Sequence, residues 1–84
     1  MVVTVYSLPN CVSCDQTKRQ FAARGIDFVD EPLTGDLLER FRSEGHLSAP
    51  VVVVDCGDDA SWSWSGYRHD DIRKLAGLAA TAAV

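Results

Sequence analysis

The sequence predicts an α/β fold: a four-stranded mixed sheet with helices on both faces, in the order β-α-β-α-β-β-α. Three observations carry this. Short β-branched or aromatic runs near residues 2–6, 26–30, 51–54 and 62–64 are separated, except between the last two, by segments of helical period. The run Val51-Val52-Val53-Val54 has no polar face, as a strand buried on both sides requires. The chain has 84 residues, enough for one domain with one modest core.

The elements follow in order. Val2-Val3-Thr4-Val5-Tyr6 forms the first strand and stops at Ser7-Leu8-Pro9-Asn10. A helix from Cys11 to about Arg24 ends at Gly25, and Cys14, Lys18 and Phe21 share one of its faces. Residues 26–30 give a short second strand closed by Pro32. Thr34 is placed to cap a second helix with Leu37, Leu38 and Phe41 on its apolar face and Gly45 as its exit. After the third strand, Asp55-Cys56-Gly57-Asp58-Asp59 reads as a polar turn. In the fourth strand Trp62 and Trp64 point to one side, with Ser63 and Ser65 on the other. A last helix begins near His69, with Asp70 and Asp71 suited to its dipole and Ile72, Leu75, Ala76 and Ala79 facing inward. The single domain spans residues 1–84, and residues 79–84 are expected to fray. The first β-α-β unit should be parallel and right-handed, the last two strands an antiparallel hairpin.

Composition excludes several classes. No apolar stretch approaches 18 residues, so no membrane span is expected. Eight basic against 12 acidic residues give a net charge of −4, and no basic stripe offers a nucleic-acid surface. Met1 leads directly into the first strand without a signal-like segment, so a cytoplasmic protein is expected. In that reducing compartment cysteines are more often catalytic or metal-binding than structural.

The chemistry concentrates at Cys11-Val12-Ser13-Cys14, at the junction of the first strand and first helix. Thiols three residues apart close a small disulfide ring at little entropic cost. A helix N-terminus beside them offers unpaired N–H donors and a positive dipole end that stabilises a thiolate. Cys14 leans inward with Phe21, while Cys11 stands open at the helix start. Cys11 is therefore the expected attacking thiolate, and Cys14 the thiol that displaces the product from the mixed disulfide. Asp15 opposes the thiolate, and the helix terminus is expected to prevail. The residues alone leave two other readings of the pair: half of a zinc site, or two structural thiols.

Three segments resemble a known family: Cys11-Val12-Ser13-Cys14, Ser48-Ala49-Pro50-Val51-Val52, and Trp64-Ser65-Gly66-Tyr67-Arg68. Together, in this element order, they resemble the NrdH-type glutaredoxin-like redoxins, electron donors to class Ib ribonucleotide reductases. The resemblance implies a thioredoxin/glutaredoxin-like fold and a thiol–disulfide oxidoreductase. It implies a cis bond before Pro50, facing the dithiol, and a partner groove formed by Val12, Ser13, Ala49, Pro50, Trp64, Ser65, Gly66, Tyr67 and Arg68. Arg68 is expected to bond backbone carbonyls or a partner carboxylate. The implied partners are thioredoxin reductase and ribonucleotide reductase, with NADPH upstream, no bound cofactor and a monomeric chain. Where the family usually has proline, this chain has His69; Cys56 and its turn also depart from the pattern.

Two alternatives are set against this reading. A glutaredoxin that uses glutathione or another small thiol typically holds a lysine before the dithiol, a Thr-Val-Pro segment and a glycine-rich anion site. Here Ser7-Leu8-Pro9-Asn10, Ser48-Ala49-Pro50 and Ser65-Gly66-Tyr67-Arg68 stand instead. A zinc-binding or interaction module would draw on Cys56 with His46 or His69. But Cys56 lies six residues beyond Pro50, about 20 Å along an extended strand. With Pro50 beside the dithiol, Cys56 falls at the other end of the sheet and cannot share a metal with it.

Overall fold

The computed structural model describes residues 1–57 and 60–82, the side chains only as far as residue 78. The elements are β1 (Val2–Ser7), α1 (Val12–Ala23), β2 (Val29–Pro32), α2 (Gly35–Ser43), β3 (Val51–Gly57), β4 (Ala60–Ser65) and α3 (His69–Ala82). The strands lie in the order β2-β1-β3-β4. β1 pairs parallel with β2 and antiparallel with β3, and β3 pairs antiparallel with β4. This is the predicted mixed sheet.

Period-2 alternation divides the apolar residues between two cores. Val3 and Val5 of β1, Val52 and Val54 of β3, and Trp64 of β4 meet Phe21 of α1 and Ile72 and Leu75 of α3. On the opposite face Val51 joins Leu33 and Phe41, with Tyr6, Leu37, Leu38 and Val53 packed around them. The four-valine run therefore feeds both cores from one strand, which is why it carries no polar residue.

Both early helices end in the same way. The Ile26 N–H donates to the Phe21 carbonyl and the Gly25 N–H to that of Ala22, a Schellman motif with Gly25 at φ +68°. His46 and Gly45 repeat the pattern on Phe41 and Arg42. This corrects the expected second strand. Ile26 is spent on closing the helix and filling the core, so pairing with β1 begins only at Val29 and runs through Pro32. Thr34 stands at the N-cap of α2, but its hydroxyl makes no capping bond.

One further expectation shifts. Residues 55–57, expected in a turn, extend β3, with a bulge between Asp55 and Gly57 and the Asp55 carboxylate accepting from the Gly57 N–H at 2.9 Å. Asp58 and Asp59 lie outside the described residues. The α3 helix begins at His69, as expected without proline, and runs to Ala82. Among the described residues no helix is long and apolar enough to cross a membrane.

Candidate functional site

The register brings three chain segments to one end of the sheet. Tyr6 pairs with Val51 and Val51 with Ser65, so the exit of β1, the entry of β3 and the exit of β4 lie side by side. Just beyond these residues come the dithiol loop, the Ala49-Pro50 bond and Gly66. The Ala49-Pro50 bond is cis. The Gly66 N–H donates to the Pro50 carbonyl at 2.9 Å, tying the second segment to the third. Gly66 has φ +80°, a backbone shape that side chains with a Cβ resist.

Asn10 turns the chain from strand to helix with φ +56°, a left-handed conformation that asparagine tolerates. Cys11 follows as N-cap of α1 in extended geometry, and its sulfur accepts from the Cys14 N–H at 3.2 Å. The Ser13 hydroxyl lies 3.9 Å from the same sulfur. Cys11 and Cys14 form a disulfide with their Cα atoms 5.2 Å apart. Cys14 is 1% exposed, whereas Cys11 is only half-buried and Val12 beside it is 72% exposed. Exposure of the two cysteines is thus unequal, in the direction the helix face predicted.

The expected groove residues are not all in one place. Trp64 is 5% exposed and packs in the first core, edge-on to Phe21 at 6.3 Å between ring centroids. Its pairing with Val52 assigns it to that inward face, so it does not line a groove. Among the described residues its buried indole N–H has no hydrogen-bond partner. Tyr67 is half-buried against the same core, and Ala49 against the other. Arg68 is exposed, and its side chain makes no hydrogen bond or ion pair among the described residues; only its carbonyl is engaged, by the Ile72 N–H.

Sequence reasoning missed the other flank of the dithiol loop. An open cleft of about 340 Å³ lies there, lined by Ser7, Leu8, Pro9, Asp30, Glu31 and Pro32. Asp30 anchors it, accepting from the Ser7 hydroxyl and from Lys18, each at 3.1 Å. Lys18 was visible only as a companion of Cys14, because its partner lies 12 residues away. Thr17 was missed too: fully buried in α1, it donates its hydroxyl to the Ser13 carbonyl at 2.8 Å. Ser and Thr four residues apart were the available signal.

Cys56 is a free, exposed thiol at the far end of the sheet, next to the Val2–Asp55 pair. His46 bonds Ser63 at 3.0 Å. Among the described residues no three His, Cys, Asp or Glu side chains gather into a metal-holding group.

No protein-family model matches the chain. Individual proteins do. The glutaredoxin-like protein NrdH of Salmonella typhimurium is 40% identical over 77 residues, spanning 89% of each chain. The Lactococcus lactis subsp. cremoris NrdH is 32% identical, over 89% of this chain and all of its own.

This chain belongs to the NrdH glutaredoxin-like family.

The solved structure of Escherichia coli NrdH-redoxin superposes with a TM-score of 0.75 at 38% identity, covering 89% of this chain and 95% of that one. It is described as glutaredoxin-like with a thioredoxin-like activity profile. A glutaredoxin from Archaeoglobus fulgidus follows at TM-score 0.65 and 28% identity, covering 87% and 83%. The fold is that of the thioredoxin and glutaredoxin proteins, and the NrdH-type Cys11–Cys14 pair makes the chain a thiol–disulfide oxidoreductase.

Proposed function

We propose that this chain carries two electrons from thioredoxin reductase to ribonucleotide reductase, storing them on Cys11 and Cys14. The observation that carries the reading is the unequal burial of the two cysteines on an NrdH-family scaffold. In the reduced form the accessible Cys11 thiolate attacks a disulfide of the partner, forming a mixed disulfide and releasing one partner thiolate. Cys14 then loses its proton and attacks the Cys11 sulfur. The Cys11–Cys14 bond forms, the second partner thiolate leaves, and two electrons have passed. The chain needs no bound cofactor, because the S–S bond itself holds the oxidising equivalent. NADPH enters upstream, through the flavoenzyme that reopens the disulfide.

The surface beside the dithiol supports a protein partner. Val12, Leu8 and Leu47 are exposed apolar side chains on or next to the loops that meet there. Val12, Ser13, Ala49, Pro50 and the Ser65-Gly66-Tyr67-Arg68 turn form the docking groove, in which the Ala49 backbone pairs with an extended partner segment. Trp64 supports that turn from within the core. The thioredoxin-like profile described for the Escherichia coli relative agrees with a protein donor.

The test is deoxyribonucleotide formation by a class Ib ribonucleotide reductase supplied with NADPH, thioredoxin reductase and this protein. The expected result is product formation that requires all three. If glutathione and its reductase support the reaction and thioredoxin reductase does not, the chain is a glutaredoxin in function.

A further inference from the structure

The peptide unit between Ser13 and Cys14 is held at both ends. Its N–H donates to Cys11 Sγ at 3.2 Å. Its carbonyl accepts the Thr17 hydroxyl at 2.8 Å. Thr17 is 0% exposed and Cys14 is 1% exposed, so water reaches neither side chain to compete. We propose that Thr17 is a positioning residue of the dithiol: its hydroxyl fixes and polarises the Ser13–Cys14 peptide so that the Cys14 N–H stays aimed at the Cys11 sulfur. This deepens the function proposed above and rests on Cys11 being the attacking thiol.

The physics is that of a two-link chain of hydrogen bonds. A donor on the carbonyl oxygen draws electron density across the amide, raising its C–N double-bond character and making its N–H a stronger donor. The second link ends on sulfur, and an N–H bond to sulfur is worth most when that sulfur is a thiolate. The hydroxyl therefore acts on the charged state of Cys11 without touching it. A threonine that back-bonds the carbonyl four residues earlier is common in helices. What distinguishes this one is the peptide it grips. The bond lands on the peptide whose other end caps the reactive sulfur, in a part-buried site where neighbouring bonds reinforce each other by roughly 10–30%.

The experiment uses the full chain with Cys14→Ser and Cys56→Ser, which leaves Cys11 as the only thiol and keeps the N–H of position 14. Iodoacetamide alkylation is followed against pH with Thr17, Thr17→Val and Thr17→Ser. Valine keeps the shape and removes the hydroxyl; serine keeps the hydroxyl and removes the methyl. Thr17→Val is expected to lower the thiolate fraction at fixed pH about two- to threefold and to move the alkylation profile to higher pH. Thr17→Ser is expected to restore it. Thermal melts confirm that each variant is folded, with Thr17→Ala as a second hydroxyl-free variant should valine not fold. An unchanged profile in folded Thr17→Val, or equal shifts in the valine and serine variants, would overturn the proposal. In the reduced Cys56→Ser chain, first label on Cys14 would overturn the assignment of Cys11 and this proposal with it. First label on Cys11 with no effect of Thr17→Val would overturn this proposal alone.

Discussion

Cys11 is both the cap of a helix and one half of a redox pair, and the two roles use the same sulfur. As N-cap it accepts an N–H that the helix leaves unpaired, and on reduction that bond meets a negative charge. Cys14 is buried and reaches only what is bonded to Cys11. Cys11→Ser is therefore expected to abolish disulfide reduction, and Cys14→Ser to accumulate a mixed disulfide with the substrate. Non-reducing mass analysis decides; mixed disulfides on the Cys11→Ser chain instead would reverse the roles. Features that follow from spacing or local geometry were legible in the sequence, namely the pairing of the two cysteines, the cis bond before Pro50 and the turn at Gly66. Trp64 was placed in a groove because its motif was read as a unit, whereas strand alternation sends its ring inward. Thr17 was illegible because its importance lies in which carbonyl it grips.

The elements were read from periodicity and most of them stand. The errors sit at their ends. Ile26 has the chemistry of a strand residue, yet a helix-closing bond to Phe21 takes its N–H. Asp55 and Gly57 have the chemistry of a turn, yet a bulge keeps them in β3. Competition between local motifs and pairing does not show in composition. The length of β3 has a consequence for Cys56, which the register puts at the opposite end of the sheet from the dithiol. Cys56→Ser is expected to leave turnover within about twofold, since five or six strand residues at about 3.3 Å each separate it from the site. A larger loss in the insulin-reduction rate would show that Cys56 takes part, within the chain or between two copies. Phe21 ties α1 to the segments around it, contacting Phe28 and Trp64 at ring distances of 5.6 and 6.3 Å with no exposure of its own. Phe21→Ala is expected to cost about 3–5 kcal/mol. A domain of this size has roughly 5–15 kcal/mol to lose, so denaturant melts should show a large drop in midpoint. A shift below about 1 kcal/mol would mean that the first core closes around the gap.

For the molecule as a whole the governing question is which reductant can approach the disulfide. The net charge is −4, and glutathione brings two carboxylates of its own. No lysine precedes the dithiol, and Lys18 is engaged with Asp30. Arg68 is an exposed cation on the neighbouring turn, and alone it is a modest substitute for a built anion site. The exposed apolar side chains around the dithiol loop suit a protein surface instead. The fold that brings these features together was legible because element order and the valine run admit few topologies. The proposed choice of reductant rests on family resemblance alone, and the case against glutathione depends on what the described surface lacks. It is tested most directly on the disulfide itself. The oxidised chain is given NADPH with catalytic thioredoxin reductase, or glutathione with glutathione reductase, then alkylated and weighed at successive times. The account predicts two new labels, on Cys11 and Cys14, appearing rapidly in the first mixture and slowly in the second; rapid labelling by the glutathione system with none by thioredoxin reductase would contradict it.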